Sequence, residues 1–119
     1  MVFNEIVENA VKNTPGALAG LLMGLDGISL ANYVKPGSGF EMEVVGVEYA
    51  TLLSEIRKAC DILESGEVHE FTVSTDKIVI VVRSVSKDYF LAMALTPDGN
   101  IGKARFVLRV QAPKVRKEL

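Results

Sequence analysis

Residues 17–35 of the chain read ALAGLLMGLDGISLANYVK. The first half of this stretch is almost continuously apolar, and Asp26-Gly27 is a strong signal for a tight turn between antiparallel strands. A strand that is apolar on both sides is expected where both faces of a sheet are covered. The stretch therefore predicts a central hairpin with strands at residues 17–25 and 28–35.

Helical and strand-like patterns alternate around this hairpin. The remaining elements are predicted at residues 2–13 (helix), 42–63 (the main helix), 68–74, 78–83 and 89–95 (strands) and from residue 101 onward (helix). The order α-β-β-α-β-β-β-α predicts a single α+β domain over residues 1–119, with one antiparallel sheet and helices available for both of its faces. Pro113 is expected to kink or end the last helix, because proline lacks a backbone donor.

The main helix has a broad apolar face that is expected to pack on the sheet. That face carries Met42, Val45, Tyr49, Leu52, Leu53, Ile56, Cys60 and Leu63. Next to it lie two small residues, Gly46 and Ala50, with Ser54 and Arg57 nearby. Small residues four positions apart let two helix backbones approach closely, so this side predicts a contact with a second helix.

The strand at residues 68–74 differs from the others. Polar residues occupy one side of it, while Phe71 and Val73 lie on the other, a pattern typical of an edge strand. An unpaired edge invites aggregation unless it is covered, and pairing with a second copy in a symmetric dimer is one way to cover it. The sequence predicts a homodimer with a continuous sheet and paired main helices.

Residue types that carry chemistry are scarce. Cys60 is the only cysteine and His69 the only histidine, so neither a disulfide nor a Cys/His zinc site can form within the chain. We expect Cys60 to act as a small apolar residue and His69 to be structural. Gly37-Ser38-Gly39 is too short for a phosphate-binding loop. The sequence thus predicts no enzyme activity, metal or cofactor, and a reducing cytoplasm as the compartment.

The charge of the chain is unevenly distributed. Residues 1–70 carry eleven acids and four bases, whereas residues 71–119 carry four acids and nine bases. A solvated basic last helix is the favoured interpretation, and a partner surface is the alternative. Nucleic-acid binding is not expected, because the domain as a whole is not basic. Residues 17–25 are too few to cross a bilayer, so membrane insertion is not expected either.

In three segments the chain resembles the Roadblock/dynein light-chain family, and its bacterial MglB-like members above all. The segments are the apolar strand that closes on Asp26-Gly27 with Ile28-Ser29-Leu30-Ala31 after it, the helix from Ala50 to Ala59, and Ile101-Gly102-Lys103-Ala104-Arg105 with Leu108-Arg109. Together they span nearly the whole chain. Pro113 departs from the family pattern, as do Val44 and Val47, where alanine is expected.

This resemblance implies a profilin-like fold: a five-stranded antiparallel sheet with the main helix on one face and both terminal helices on the other. It also implies dimers joined at edge strands that act on small Ras-like GTPases. The implied dimer interface comprises Gly46, Ala50, Ser54, Arg57, Phe71 and Val73. The implied partner surface comprises Val44, Val47, Glu48 and Thr51.

Three functions remain open at the level of sequence. The first is a regulator that stabilises the switch regions of a GTPase without donating an arginine, since Arg57 is expected to bond within the dimer and Arg105 to lie away from the partner. The second is a structural adaptor without effect on GTP hydrolysis. The third is a small-ligand sensor with a groove between sheet and helix.

Overall fold

The structure is a computed structural model that describes residues 2–119. Its elements are α1 (Val2–Lys12), β1 (Ala17–Gly24), β2 (Ser29–Val34), α2 (Met42–Ile62), β3 (Glu70–Ser74), β4 (Val79–Ser84), β5 (Tyr89–Leu95) and α3 (Ile101–Glu118). The predicted order of helices and strands is confirmed. The ends of α1, β1, β2, α2, β3 and β4 differ from the prediction by one or two residues.

The five strands form one sheet in the order β2-β1-β5-β4-β3, and each neighbouring pair is antiparallel. The strands β1 and β5 lie at its centre, and both are buried almost throughout. Their continuous apolar sequences fit this position, since side chains on both faces are covered. β3 lies at one edge, as its half-polar sequence predicted.

The hairpin between β1 and β2 turns at Asp26-Gly27. Gly27 adopts φ of 85°, a left-handed conformation that glycine accepts without strain. The Oδ1 atom of Asp26 accepts a hydrogen bond of 3.0 Å from the backbone N–H of Ile28. Ile28 is 64% exposed, and pairing with β1 begins at Ser29, opposite Met23.

Helices cover both faces of the sheet, as predicted. Alternation along β4 divides its residues between the two faces: Val79 and Val81 contribute to a core under α1 and α3, whereas Ile80 and Val82 contribute to a core under α2. The domain is therefore a three-layer arrangement with one core on each side of the sheet.

Pro113 was expected to kink or end the last helix. The helix does not end there, because α3 continues through Pro113 to Glu118. Ala112 and Val115 are buried on either side of the proline, and Arg116 donates a hydrogen bond from Nε to the carbonyl oxygen of Val85 at 2.7 Å. Packing against the sheet thus holds the helix together where one backbone hydrogen bond is missing. Within residues 2–119, every helix is too short or too polar to cross a membrane.

Candidate interaction surface

α2 lies on the sheet through small residues. Its buried residues are Met42, Gly46, Ala50 and Leu53. A Cβ atom at Gly46 would lie 2.6 Å from Cδ2 of Leu21 and 2.7 Å from Cε of Met23, both in β1. The absence of a side chain at Gly46 therefore lets α2 approach β1 closely. The expectation that Gly46 and Ala50 contact a second helix is wrong, because their own sheet covers them.

Arg57 is also bound within its own chain. Its Nη1 donates to the carbonyl oxygen of Lys87 at 2.8 Å, and its Nη2 donates to the carbonyl oxygen of Ser86 at 3.1 Å and to Oγ of Ser84 at 3.3 Å. These acceptors belong to the end of β4 and the loop that leads into β5. The guanidinium of Arg57 thus fastens α2 to this loop, and its place at a dimer contact stays a prediction.

The two flanks of α2 face different strands. On one flank, Glu43 accepts a hydrogen bond from Nδ2 of Asn32 in β2, at 3.1 Å. Ser54 lies three turns further along the same flank and is half-buried. Because this flank faces away from β3, Ser54 and Phe71 do not lie on one surface. The six residues predicted as a single interface are thus divided among the underside of α2, its flank toward β2, the loop between β4 and β5 and the edge strand.

The other flank of α2 faces β3. The rings of Tyr49 and Phe71 stack with their centroids 6.1 Å apart and their planes 3° from parallel. Val73 lies on the same side of β3 as Phe71, and both are half-buried. The predicted placement of these two residues at the sheet edge is confirmed; their role in a dimer stays a prediction.

Further apolar residues continue this flank. Spacings of three and four residues place Val45, Tyr49, Leu52 and Ile56 on one side of the helix. We call these four residues the β3 flank of α2. Leu52 is 37% exposed, and the other three are half-buried. All four were expected in the core. They form an apolar surface beside the edge strand that the sequence analysis did not single out, although an apolar face wider than one sheet contact was a signal for it.

The outward side of α2 carries the predicted partner surface. Val44 is 59% and Val47 is 47% exposed, and Glu48 and Thr51 between them are exposed as well. We call these four residues the outward ridge. Their exposure is what contact with a partner requires, but the contact itself stays a prediction.

Arg105 is tied to the edge strand on the opposite face of the sheet. Its guanidinium forms an ion pair with Glu70 of β3, and Nη1 of Arg83 lies 3.8 Å from the same carboxylate. The hydrogen bond from Arg105, opposed by partial desolvation, lowers the pKa of Glu70 below its ordinary value. Both arginines considered as catalytic donors, Arg57 and Arg105, are thus bound within the chain.

Comparison with known proteins agrees with this architecture. The crystal structure of MglC from Myxococcus xanthus is 48% identical to the chain, with all of both chains covered and a TM-score of 0.72. The gliding protein MglB from Thermus thermophilus is 15% identical, with 95% of this chain and 84% of that chain covered and a TM-score of 0.84. Profilin IA from Acanthamoeba castellanii is 18% identical, with 98% of each chain covered and a TM-score of 0.62.

The last two likenesses show the shared fold alone, because their identities are low. A comparison with curated proteins gives no match. The family model of the Roadblock/LC7 domain matches residues 3–95, which include all elements from α1 to β5 apart from Val2. The chain therefore belongs to the Roadblock/LC7 domain family, and it is similar to MglC over its whole length.

Proposed function

We propose that the chain is a non-enzymatic regulator of a small Ras-like GTPase and that it acts as a homodimer. The observation that carries this proposal is the continuity between the open edge of β3 and the β3 flank of α2. Within residues 2–119, β3 pairs only with β4, so its other edge offers free backbone donors and acceptors. Beside that edge lie the half-buried rings and aliphatic side chains described above.

A symmetric dimer would use both features at once. Antiparallel pairing of two β3 strands satisfies the free backbone groups and extends the sheet across both copies. The β3 flanks of the two α2 helices would then meet along Tyr49, Leu52 and Ile56. The exposed apolar surface of these residues would be buried in the interface. A self-complementary surface of this kind is what a two-fold axis requires.

The GTPase partner is inferred from the family. The resemblance of the chain to Roadblock proteins implies a small Ras-like GTPase as the partner, and MglB from Thermus thermophilus, which shares the fold, is named a gliding protein. In the proposed dimer, two outward ridges lie side by side and form one recognition surface. We place the partner there because Val44 and Val47 are exposed apolar residues of a helix, with polar residues between them.

The mechanism that fits this surface is positioning without a donated arginine. GTP hydrolysis is accelerated either by an inserted arginine or by residues that hold the switch regions in place. Arg57 is bound to three acceptors of its own chain, and Arg105 pairs with Glu70 on the far face of the sheet. The dimer would therefore regulate by stabilising one conformation of the switch regions.

A structural adaptor without effect on hydrolysis is the second candidate. The observation that favours it is the charge of the exposed side of α2. There, Nζ of Lys58 lies 3.3 Å from the carboxylate of Glu55, and Glu48 is a second exposed acidic residue. This side offers acidic groups and a paired lysine, which do little to stabilise a developing negative charge on phosphate. Such a surface can hold a protein in place without assisting its chemistry.

Two measurements test the proposals in sequence. Leu52→Asp places a carboxylate in the proposed interface, and Thr51→Asp adds the same charge one residue away on the outward ridge. We expect sedimentation to show a dimer for the wild type and Thr51→Asp and a monomer for Leu52→Asp. A wild-type monomer at micromolar concentration would contradict the dimer.

Single-turnover GTP hydrolysis by the cognate Ras-like protein then separates regulator from adaptor. A regulator changes the rate, and Thr51→Asp weakens that change while leaving the dimer intact. An adaptor binds the GTPase and leaves the rate unchanged. No binding of the GTPase in either nucleotide state would exclude both.

A further inference from the structure

A groove of about 680 Å³ opens beyond the end of β4. The second half of α2 borders it on one face of the sheet, and the second half of α3 borders it on the other. Its basic side chains are Arg57, Arg83, Lys87 and Arg116, and its acidic side chains are Asp61 and Glu67. With His69 neutral, the lining carries a formal charge of +2 in a chain whose net charge is −2.

Two of these arginines are fixed by the same short loop. Arg57 reaches it from α2 and binds Ser84, Ser86 and Lys87, whereas Arg116 reaches it from α3 and binds the carbonyl oxygen of Val85. Helices on opposite faces of the sheet thus bring two guanidinium groups to one loop. Because Arg116 uses only Nε, its Nη groups have no acceptor within residues 2–119 and remain free to bind a ligand.

Arg83 supplies a further donor. Its side chain is only 21% exposed, and its Nε is buried without an acceptor among the described residues. The carboxylate of Glu70 lies 3.8 Å from Nη1 of Arg83, and this ion pair does not involve Nε. Buried donors are normally paired, so the hydrogen bonds of Arg83, a residue that lines the groove, are incomplete within residues 2–119.

We propose that this groove binds a small phosphorylated molecule. Arg83, Lys87 and Arg116 approach from a strand, a loop and a helix, which suits the several oxygens of a phosphate group better than the single plane of a carboxylate. The apolar residues Val68 and Val85 line the same groove and would contact the body of the ligand. The volume lies within the usual range of small-molecule pockets, about 300–1,000 Å³.

The inference is independent of the proposed GTPase function. Neither the β3 flank of α2 nor the outward ridge contributes a residue to the groove. A failure to observe the dimer or GTPase binding would therefore not contradict phosphate binding in the groove. A failure to observe phosphate binding would not contradict the dimer.

Titration of the full ¹⁵N-labelled chain with inorganic pyrophosphate tests the proposal. We expect saturable shifts of the backbone amides of residues 84–87 and of the Nε–Hε signals of Arg83 and Arg116. Lys87→Gln should weaken binding about fivefold and Arg116→Gln about tenfold, which are ordinary effects of removing one charge-assisted contact. The matched control is Lys114→Gln, which removes one exposed charge of α3 outside the groove and should change the affinity less than about twofold.

Folding does not confound this test, because Nζ of Lys87 makes no contact with an acceptor within residues 2–119. Equal weakening by Lys87→Gln and Lys114→Gln would show non-specific attraction and overturn the proposal. Failure to saturate at millimolar pyrophosphate would overturn it as well. If a phosphoserine peptide binds at least about tenfold more tightly than pyrophosphate, the ligand of the groove is a phosphorylated protein and the proposal of a small molecule is overturned.

Discussion

Gly46→Val tests whether α2 meets its own sheet or a second helix through its small residues. Three carbon atoms would enter a site where a single Cβ already lies 2.6 Å from Leu21 and 2.7 Å from Met23. Both neighbours are fully buried, so the ends of their side chains can make room only by repacking within the core. α2 must then lift from β1, or the core beneath it must repack.

The expected loss of stability follows from two opposing terms. Replacing glycine by valine in a helix gains a few tenths of a kcal/mol in propensity. Overpacking of a closely packed core costs about 1–3 kcal/mol, and three added carbons that meet the ends of two buried side chains fall within that range. The free energy of unfolding should therefore fall by about 2 kcal/mol, which for a domain of this size lowers Tm by about 10 °C.

Thermal unfolding at two protein concentrations is the assay, because dimerisation would make Tm depend on concentration. Gly102→Val is the matched control: Gly102 lies in the first turn of α3, and a Cβ there would meet only Oδ1 of Asn100, at 3.7 Å. Its effect should stay within about 0.5 kcal/mol. A Gly46→Val variant that melts like the wild type at high dilution but no longer dimerises would refute the packing of Gly46 on β1 and restore the helix-helix contact.

Two further substitutions test other contacts. Arg105 lowers the pKa of Glu70, so the carboxylate stabilises the fold above its unfolded pKa of about 4.3, and this contribution is lost as pH falls through the lower folded value. Glu70→Gln should therefore lower stability at pH 7 by at most about 1 kcal/mol, since the pair is partly exposed, and urea unfolding near pH 2 should show no difference from the wild type. Pro113→Ala restores a backbone donor in the middle of α3 and should raise stability by about 1–2 kcal/mol in thermal unfolding, after allowance for the greater freedom of the unfolded chain. A decrease would show that the proline ring makes contacts worth more than the hydrogen bond.

The order of elements could be predicted from the sequence because it depends on short-range signals. Asp26-Gly27 fixes the first hairpin, and the half-polar pattern around Phe71 marks an edge. The continuation of α3 through Pro113 could not be predicted in this way. It depends on tertiary contacts of Ala112 and Val115 that no local pattern contains.

The groove beyond β4 was equally hidden from the sequence. Arg57, Arg83 and Arg116 are separated by more than twenty residues from one another, and no spacing between them suggests a shared site. They meet only because α2 and α3, on opposite faces of the sheet, both reach the loop between β4 and β5.

The rotation of α2 about its axis explains the errors in the predicted interface. In the sequence, the widest apolar face of α2 is expected to be buried, and Gly46 and Ala50 beside it are expected to contact a second helix. The sheet beneath α2 presents the bulky side chains of Leu21 and Met23, and a helix can approach such a surface closely only where its own residues are small. Burying Gly46 and Ala50 there turns Leu52 and its neighbours on the β3 flank outward, toward the open edge. The small residues thus create the apolar flank without belonging to it, so a dimer that uses this flank depends on Gly46 through the orientation of α2.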